Sequence, residues 1–225
     1  MSGLGILAGP GVVEAGCVEG LQAFARRVGC GVVNTWGAKG VFRWDDPLHF
    51  GTGGLQARDF ELAGLGDVDV LVTTGLDPAE VTSTPWLGRA EVVDVAPEDL
   101  ASYDVPLPRG STERPALYTV LAAVVGPMYE EPGSPPARAA ALAAALPDDG
   151  IVVAAPGLVG FWIARTFPTA RPGSVRITTD AVPGALRVDD VDWADTNLNP
   201  SALVAVAGPI VAWGGIGDEP QAPAR

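Results

Sequence analysis

The sequence predicts an α/β fold: a doubly wound, mainly parallel sheet, followed by a smaller, truncated α/β lobe. Three observations predict it. Short, near-continuous apolar runs alternate with segments of helical spacing over the first 128 residues, the pattern of parallel strands buried on both faces. A glycine-marked turn, Gly9-Pro10-Gly11, ends the first run. A Pro/Gly-rich stretch, Glu130 to Pro136, then separates a second, weaker round of strands and helices.

The elements follow in order. Gly5 to Ala8 reads as the first strand. Between Glu14 and Val28 the apolar positions Val18, Leu21, Ala25 and Val28 recur at three- and four-residue steps, which predicts a helix stopped by Gly29. Gly31 to Thr35 reads as a strand, Trp36 to Gly54 as a glycine-rich loop, and Leu55 to Gly64 as a helix. Val68 to Thr74 is the clearest buried strand, ended by Gly75. A short helix is expected near Pro78 to Val81, a strand at Glu91 to Val95, a weak edge strand at Val105 to Leu107, and a helix from Arg114 to Val125. The stretch through Pro135-Pro136 reads as a linker. Alanine-rich Ala137 to Leu146 is strongly helical. Ile151 to Ala155 reads as a strand and Gly157 to Thr166 as a helix. Val175–Thr178 and Leu203–Ala207 look like short β pieces. The resulting division is 1–128, a linker at 129–136, a second lobe at 137–213, and a frayed tail at 214–225.

Composition narrows the function. The chain has 225 residues, 48% apolar and 18% charged, with a formal net charge of −13. That apolar share supports a packed core rather than a disordered chain. So acidic a balance argues against nucleic acid and against anionic membranes as partners. The longest apolar stretch, Ala202 to Trp213, is interrupted by Gly208-Pro209 and is too short to span a bilayer. The first residues have no basic region and do not read as a signal peptide. The only cysteines, Cys17 and Cys30, are expected reduced, and the expected location is cytoplasmic.

Chemistry concentrates at few places. Gly9-Pro10-Gly11 sits at the carboxyl end of a strand, where such sheets take phosphates; it is equally the signature of a tight strand-to-helix turn. Asn34 to Gly54 holds the only lysine, Lys39, and the only histidine, His49. Lys39 beside glycines is suited to a phosphate or to a solvated loop, but no P-loop surrounds it. His49 reads as a packed or hydrogen-bonded ring, with no nucleophile at a recognisable spacing. Asp189, Asp190, Asp192 and Asp195, with Asn197 and Asn199, read as a solvated acidic loop rather than a Mg²⁺ or Ca²⁺ site. No residue set recommends a Ser-His-Asp triad or a zinc site.

These motifs resemble the thiamine diphosphate-dependent enzymes of the acetolactate synthase and benzoylformate decarboxylase group. The pieces ILAGPGVV, VVNTWGAKGVF, DPLHFGTGG, DVDVLVTTGLD and EVVDVAPEDL are similar to the family's central domain. The order Thr35, Gly37, Lys39, Gly40, Pro47, His49, Gly51, Gly54 is the most specific part. LPDDGIVVAAPG with FWIAR resembles the start of the family's diphosphate-binding domain. The resemblance implies a Rossmann-like sheet of the DHS-like NAD/FAD-binding type at 1–128 and a truncated diphosphate-domain-like lobe at 137–213.

In relatives the catalytic glutamate comes from a pyrimidine-binding domain, and Mg²⁺ is held from a Gly-Asp-Gly start with a downstream Asn. The chain begins at the central-like domain, Gly217-Asp218-Glu219 breaks the metal motif, and the acid position is Ala155 or Pro156. Thiamine diphosphate and Mg²⁺ are therefore not expected on this chain alone, and no catalytic residue is assigned. Some relatives bind FAD or an adenine nucleotide in the central domain. The cofactor-binding candidates are then Gly9, Gly11, Thr35, Gly37, Lys39, Gly75, Asp77 and Asp94. The sequence leads first to a nucleotide- or cofactor-binding protein without self-contained catalytic machinery. The alternative is a non-catalytic interaction subunit of a split decarboxylase or carboligase, as a homo-oligomer or with a separate chain carrying the missing domains. Apolar Ala202 to Trp213 invites burial against something and favours that alternative. A divergent structural or regulatory relic is the third reading.

Overall fold

Strands β1 (Leu4–Ala8), β2 (Val32–Thr35), β3 (His49–Gly53), β4 (Val70–Thr74) and β5 (Glu91–Asp94) form one sheet in the order β3-β2-β1-β4-β5. Every neighbouring pair is parallel. The computed structural model describes residues 3–81, 88–189 and 192–215. The order reverses between β1 and β4, so their carboxyl ends flank the switch point of a Rossmann-like sheet.

Alternation along the strands divides the core in two. Leu4, Ile6, Ala8, Val32 and Val72 join the cluster around Leu21, Phe24 and Ala25 of α2 (Val18–Val28). Leu7, Val33 and Leu71 face the opposite cluster, with Leu117 and Leu121 of α4 (Ala116–Val125). A strand's side-chain period of two places successive residues on opposite faces, and here both faces are covered.

Several elements differ from the sequence reading. The first helix is broken: α1 (Gly11–Glu14) is one turn, Gly16 turns the chain at φ 68°, and α2 starts again at Val18. Gly29 then ends α2 in the left-handed conformation at φ 62°, as the sequence indicates. The fifth strand is β3, inside the predicted loop, and not Val105–Leu107, which is irregular. Helix α3 (Asp59–Leu62) is a single turn, and Pro78–Val81 is a turn rather than a helix.

The second lobe has its own parallel sheet, β7-β6-β8, from β6 (Val152–Ala154), β7 (Val175–Ile177) and β8 (Leu186–Val188). β8 lies outside every strand that the sequence reading predicts. Pro135 and Pro136 open α5 (Pro135–Ala145), capped by the Ser134 hydroxyl, which accepts from the Ala137 N–H. Proline fits a first helical turn because those amides lack intrahelical partners anyway. Leu203–Ala207 is helical and not β-like: α7 (Ser201–Ala207) buries Leu203 and Ala207 at helical spacing.

The lobes share one core. Trp162 and Phe161 of α6 (Leu158–Thr166) belong to the same cluster as Leu7 and Leu71. The apolar segment at 202–213 packs on the chain through buried Leu203, Ala207 and Ala212, with Ala202, Ala205 and Pro209 left exposed: Arg58 N–H donates to Ala207 carbonyl (2.9 Å), Ala57 N–H to Pro209 carbonyl (3.0 Å), and the Trp213 and Trp36 rings meet in a tilted contact at 5.5 Å. Asp190, Gly217-Asp218-Glu219 and most of the tail lie outside the described residues. Among the described residues, no helix is long and apolar enough to cross a membrane.

Gly40 marks the tightest approach of the lobes. Its φ is 92°, and a Cβ there would run into the Arg171 carbonyl. Gly64 has φ 70° but open space around it. Gly40→Ala is expected to cost more than the strain of about 1–2 kcal/mol that Gly64→Ala carries. Denaturant unfolding of the two variants checks this; equal losses would mean that the lobes do not meet at Gly40.

Candidate functional site

Two places are open to chemistry, and they lie on different sides of β2. The first is the switch-point crevice. There the Gly9 N–H donates to the Thr74 carbonyl (2.9 Å) and the Gly11 N–H to the Gly75 carbonyl (2.9 Å). A Cβ at Gly11 would sit 2.9 Å from the Gly75 Cα, and one at Gly9 2.5 Å from the Leu76 Cα. The glycines let two strand-end turns pack backbone to backbone. The helix that follows is four residues long, so its dipole adds little attraction for an anion.

Next to these turns, the Gly37 N–H donates to the Glu80 carboxylate at 3.1 Å. Burial pushes the Glu80 carboxyl up to about 7, against the pull of the Thr35 hydroxyl and the Gly37 amide. An internal carboxyl thus takes the Gly37 amide. Asp77 is exposed and accepts from the Ala79 N–H (2.8 Å). Asp94 is exposed at the end of β5 and accepts from the Thr73 hydroxyl (2.7 Å). The structure therefore brings Gly9, Gly11 and Gly75 together, sets Thr35 and Gly37 beside Glu80, and leaves Asp94 on β5.

Lys39 faces elsewhere. A 3-10 turn, Trp36–Ala38, follows β2, and Gly40 redirects the chain. This places Lys39 in the wall of a cavity of about 430 Å³ between β3, α4 and the end of α6. Leu117, Leu121, Val125 and Phe167 supply its apolar walls. Lys39, His49 and Arg165 are its ionisable cationic residues, and no Asp or Glu lines it. None of the other seven predicted binding residues lines it either.

Charge in this cavity is unevenly matched. The Arg165 side chain is 2% exposed: its Nη2 donates to both Asp59 oxygens (2.8 and 2.9 Å), and Nη1 donates to the Thr52 carbonyl (2.8 Å). Asp59 also accepts from the Leu55 and Gln56 amides (2.8 and 2.9 Å). Burial pushes the Asp59 carboxyl up, opposed by Arg165 and those amides. Lys39 is 4% exposed and has no hydrogen bond or ion pair among the described residues. Burial and the nearby Arg165 charge bring its amine down to about 7. His49 is brought down to about 3 by burial first, then by Lys39 and Arg114, so its ring is neutral. His49 Nδ1 and Arg165 Nε lack partners.

Arg165, Asp59 and Glu80 are absent from the candidates drawn from sequence. For Arg165 a signal exists: it is the one charge in the helix LVGFWIART, and a charge on an apolar helix needs a buried partner. Asp59 and Glu80 carry no comparable mark. His49 is the packed ring that the sequence suggests, at the edge of this cavity. The acidic loop is bound to the chain: Asp195 pairs with Arg138, and among the described residues no cluster of three His, Cys, Asp or Glu side chains suits a metal.

Two predictions follow from these charges. Asp59→Asn leaves Arg165 buried with half its partner, and an expected loss of about 3–5 kcal/mol is read by chemical unfolding. Joint replacement, Asp59→Leu with Arg165→Met, costs less than either single change; a larger cost would mean that the pair itself holds the lobes. For Lys39, the folded chain binds the proton more weakly than the unfolded chain, whose amine has the ordinary value of 10.5. Stability therefore rises with pH between about 7 and 10.5, and this contribution is lost as pH falls to about 7. Lys39→Met is expected to melt several degrees above the parent at pH 6, with the gap closing toward pH 10. A gap independent of pH would contradict a buried, unpaired amine.

Comparison with known proteins completes the site's setting. The family model for the thiamine pyrophosphate enzyme central domain matches residues 4–104, from β1 past β5. No curated protein matches the chain. The match spans Gly9–Gly11, Thr35–Lys39, Gly75, Asp77 and Asp94, while Arg165 and the α4 and α6 walls of the cavity fall outside it. The five-stranded parallel sheet and this match agree: residues 4–104 are similar to the thiamine pyrophosphate enzyme central domain.

Proposed function

We propose that this chain is a binding module of the thiamine diphosphate enzyme type, and that its ligand is a small organic anion held over Lys39. The single observation that carries the reading is a buried lysine without a counterion in an apolar cavity free of acids. A charged amine in such a place is costly, and an incoming carboxylate or phosphate ester offsets that cost. Apolar walls from α4 favour a ligand with an organic body. The volume, about 430 Å³, falls in the range of small-molecule sites.

The same reading weighs the cofactors that the family suggests. For FAD or an adenine nucleotide, the natural place is the switch-point crevice, and the Gly9, Gly11 and Gly37 amides are already bonded there. For thiamine diphosphate with Mg²⁺, the described residues offer no metal-ligating cluster, so no step is routed through it. Kinship with the acetolactate synthase group rests on the Thr35-to-Gly54 motif order, and within this proposal it bears on ancestry rather than on turnover.

Thermal shift with pyruvate, propionate, ADP, FAD and thiamine diphosphate with Mg²⁺, on the parent and on Lys39→Met, tests the reading. A ligand that binds only the folded chain raises its melting temperature. The expected result is a rise with the carboxylates on the parent, lost in Lys39→Met. A rise with ADP or FAD that survives Lys39→Met would place the ligand in the crevice instead.

A further inference from the structure

We propose that Lys39 captures carbonyl compounds covalently, as an imine, in the cavity between β3, α4 and α6. This deepens the anion-binding reading and rests on the same cavity being the ligand site. The geometry supplies what the reaction needs. Lys39 is 4% exposed and lines open space, and no acid among the described residues holds its amine as a salt. Arg165 is fixed in place by Asp59 and the Thr52 carbonyl, so a cation stays close to Lys39 whether or not a ligand is present. A desolvated lysine next to a second cation keeps a share of free amine near neutrality, and free amine is the nucleophile. His49, neutral and without a partner at Nδ1, shares the cavity and offers a free ring nitrogen for a hydrogen bond to the ligand.

The step balances without an added reagent. The Lys39 nitrogen forms a bond to the carbonyl carbon, and the carbonyl oxygen takes up a proton to give a carbinolamine. The C–O bond then breaks and the C=N bond forms. The oxygen leaves as water with two hydrogens that the amine carried. Nothing is oxidised or reduced. The ligand class is a small aldehyde or 2-oxo acid, the latter combining the carbonyl with the anionic group already favoured.

The chain makes the test clean because Lys39 is its only lysine. The full chain is incubated with pyruvate, or with glyoxylate, and sodium cyanoborohydride, which reduces an imine to a stable amine. Intact mass and peptide mapping then locate the adduct, and calorimetry with pyruvate measures binding separately. The expected result is an adduct on the peptide containing Lys39, lost in Lys39→Arg. That variant keeps a positive charge at the position but has no amine nucleophile. Its melting curve and circular dichroism check folding. Pyruvate binding without an adduct, or an adduct confined to the N-terminal amine, overturns the imine while leaving the anion site standing. Absence of both binding and adduct overturns both readings.

Discussion

Two cations, Lys39 and Arg165, reach the wall of one cavity, and among the described residues a carboxylate meets only Arg165. Arg165 comes from the second lobe and finds Asp59 already anchored by the Leu55 and Gln56 amides. The pair is buried and multiply bonded: each Asp59 oxygen accepts from Arg165, and the Thr52 carbonyl takes a further Arg165 bond, while Arg165 Nε is left without a partner. Such a pair fixes the angle at which α6 meets β3. Lys39 then lies against that fixed positive group with no anion of its own. The cavity's shape, its charge and the chemistry proposed for it all follow from this imbalance.

The glycine turns show the opposite economy. A Rossmann-like sheet ordinarily offers its switch point to ligands. Here the two turns lie against each other through Gly9, Gly11 and Gly75, and Glu80 occupies the Gly37 amide. Backbone donors that are satisfied internally have little to gain from a ligand. The second lobe creates another place, because α6 brings a buried cation and a wall to β3. The proposed ligand site thus depends on lobe docking rather than on the sheet alone.

Much of the architecture was legible because apolar runs report burial directly. β1, β2 and β4 stand out as such buried runs, and β5 as an apolar run on a largely exposed sheet edge. β3, with the sequence HFGTG, does not, since two glycines and a threonine carry no hydrophobic signal. α7, SALVAVA, offers β-branched residues to a local reading, and only packing of Leu203 and Ala207 against the core decides for helix. Gly16 breaks a helical period that its neighbours continue. At the site, Lys39 was visible as a lone lysine among glycines. Its partners were not: Asp59 and Arg165 are 106 positions apart, and no local pattern joins them. The direction of the Lys39 side chain was also invisible, because Gly40 and the Arg171 backbone set it.

The central claim is that Lys39 is held as an unpaired amine away from water. The most direct measurement is NMR titration of the chain labelled at lysine, where the only lysine gives a single side-chain signal. A midpoint near about 7 is predicted, moving upward when pyruvate or propionate is present. A midpoint at the ordinary 10.5, unchanged by either acid, would contradict the account.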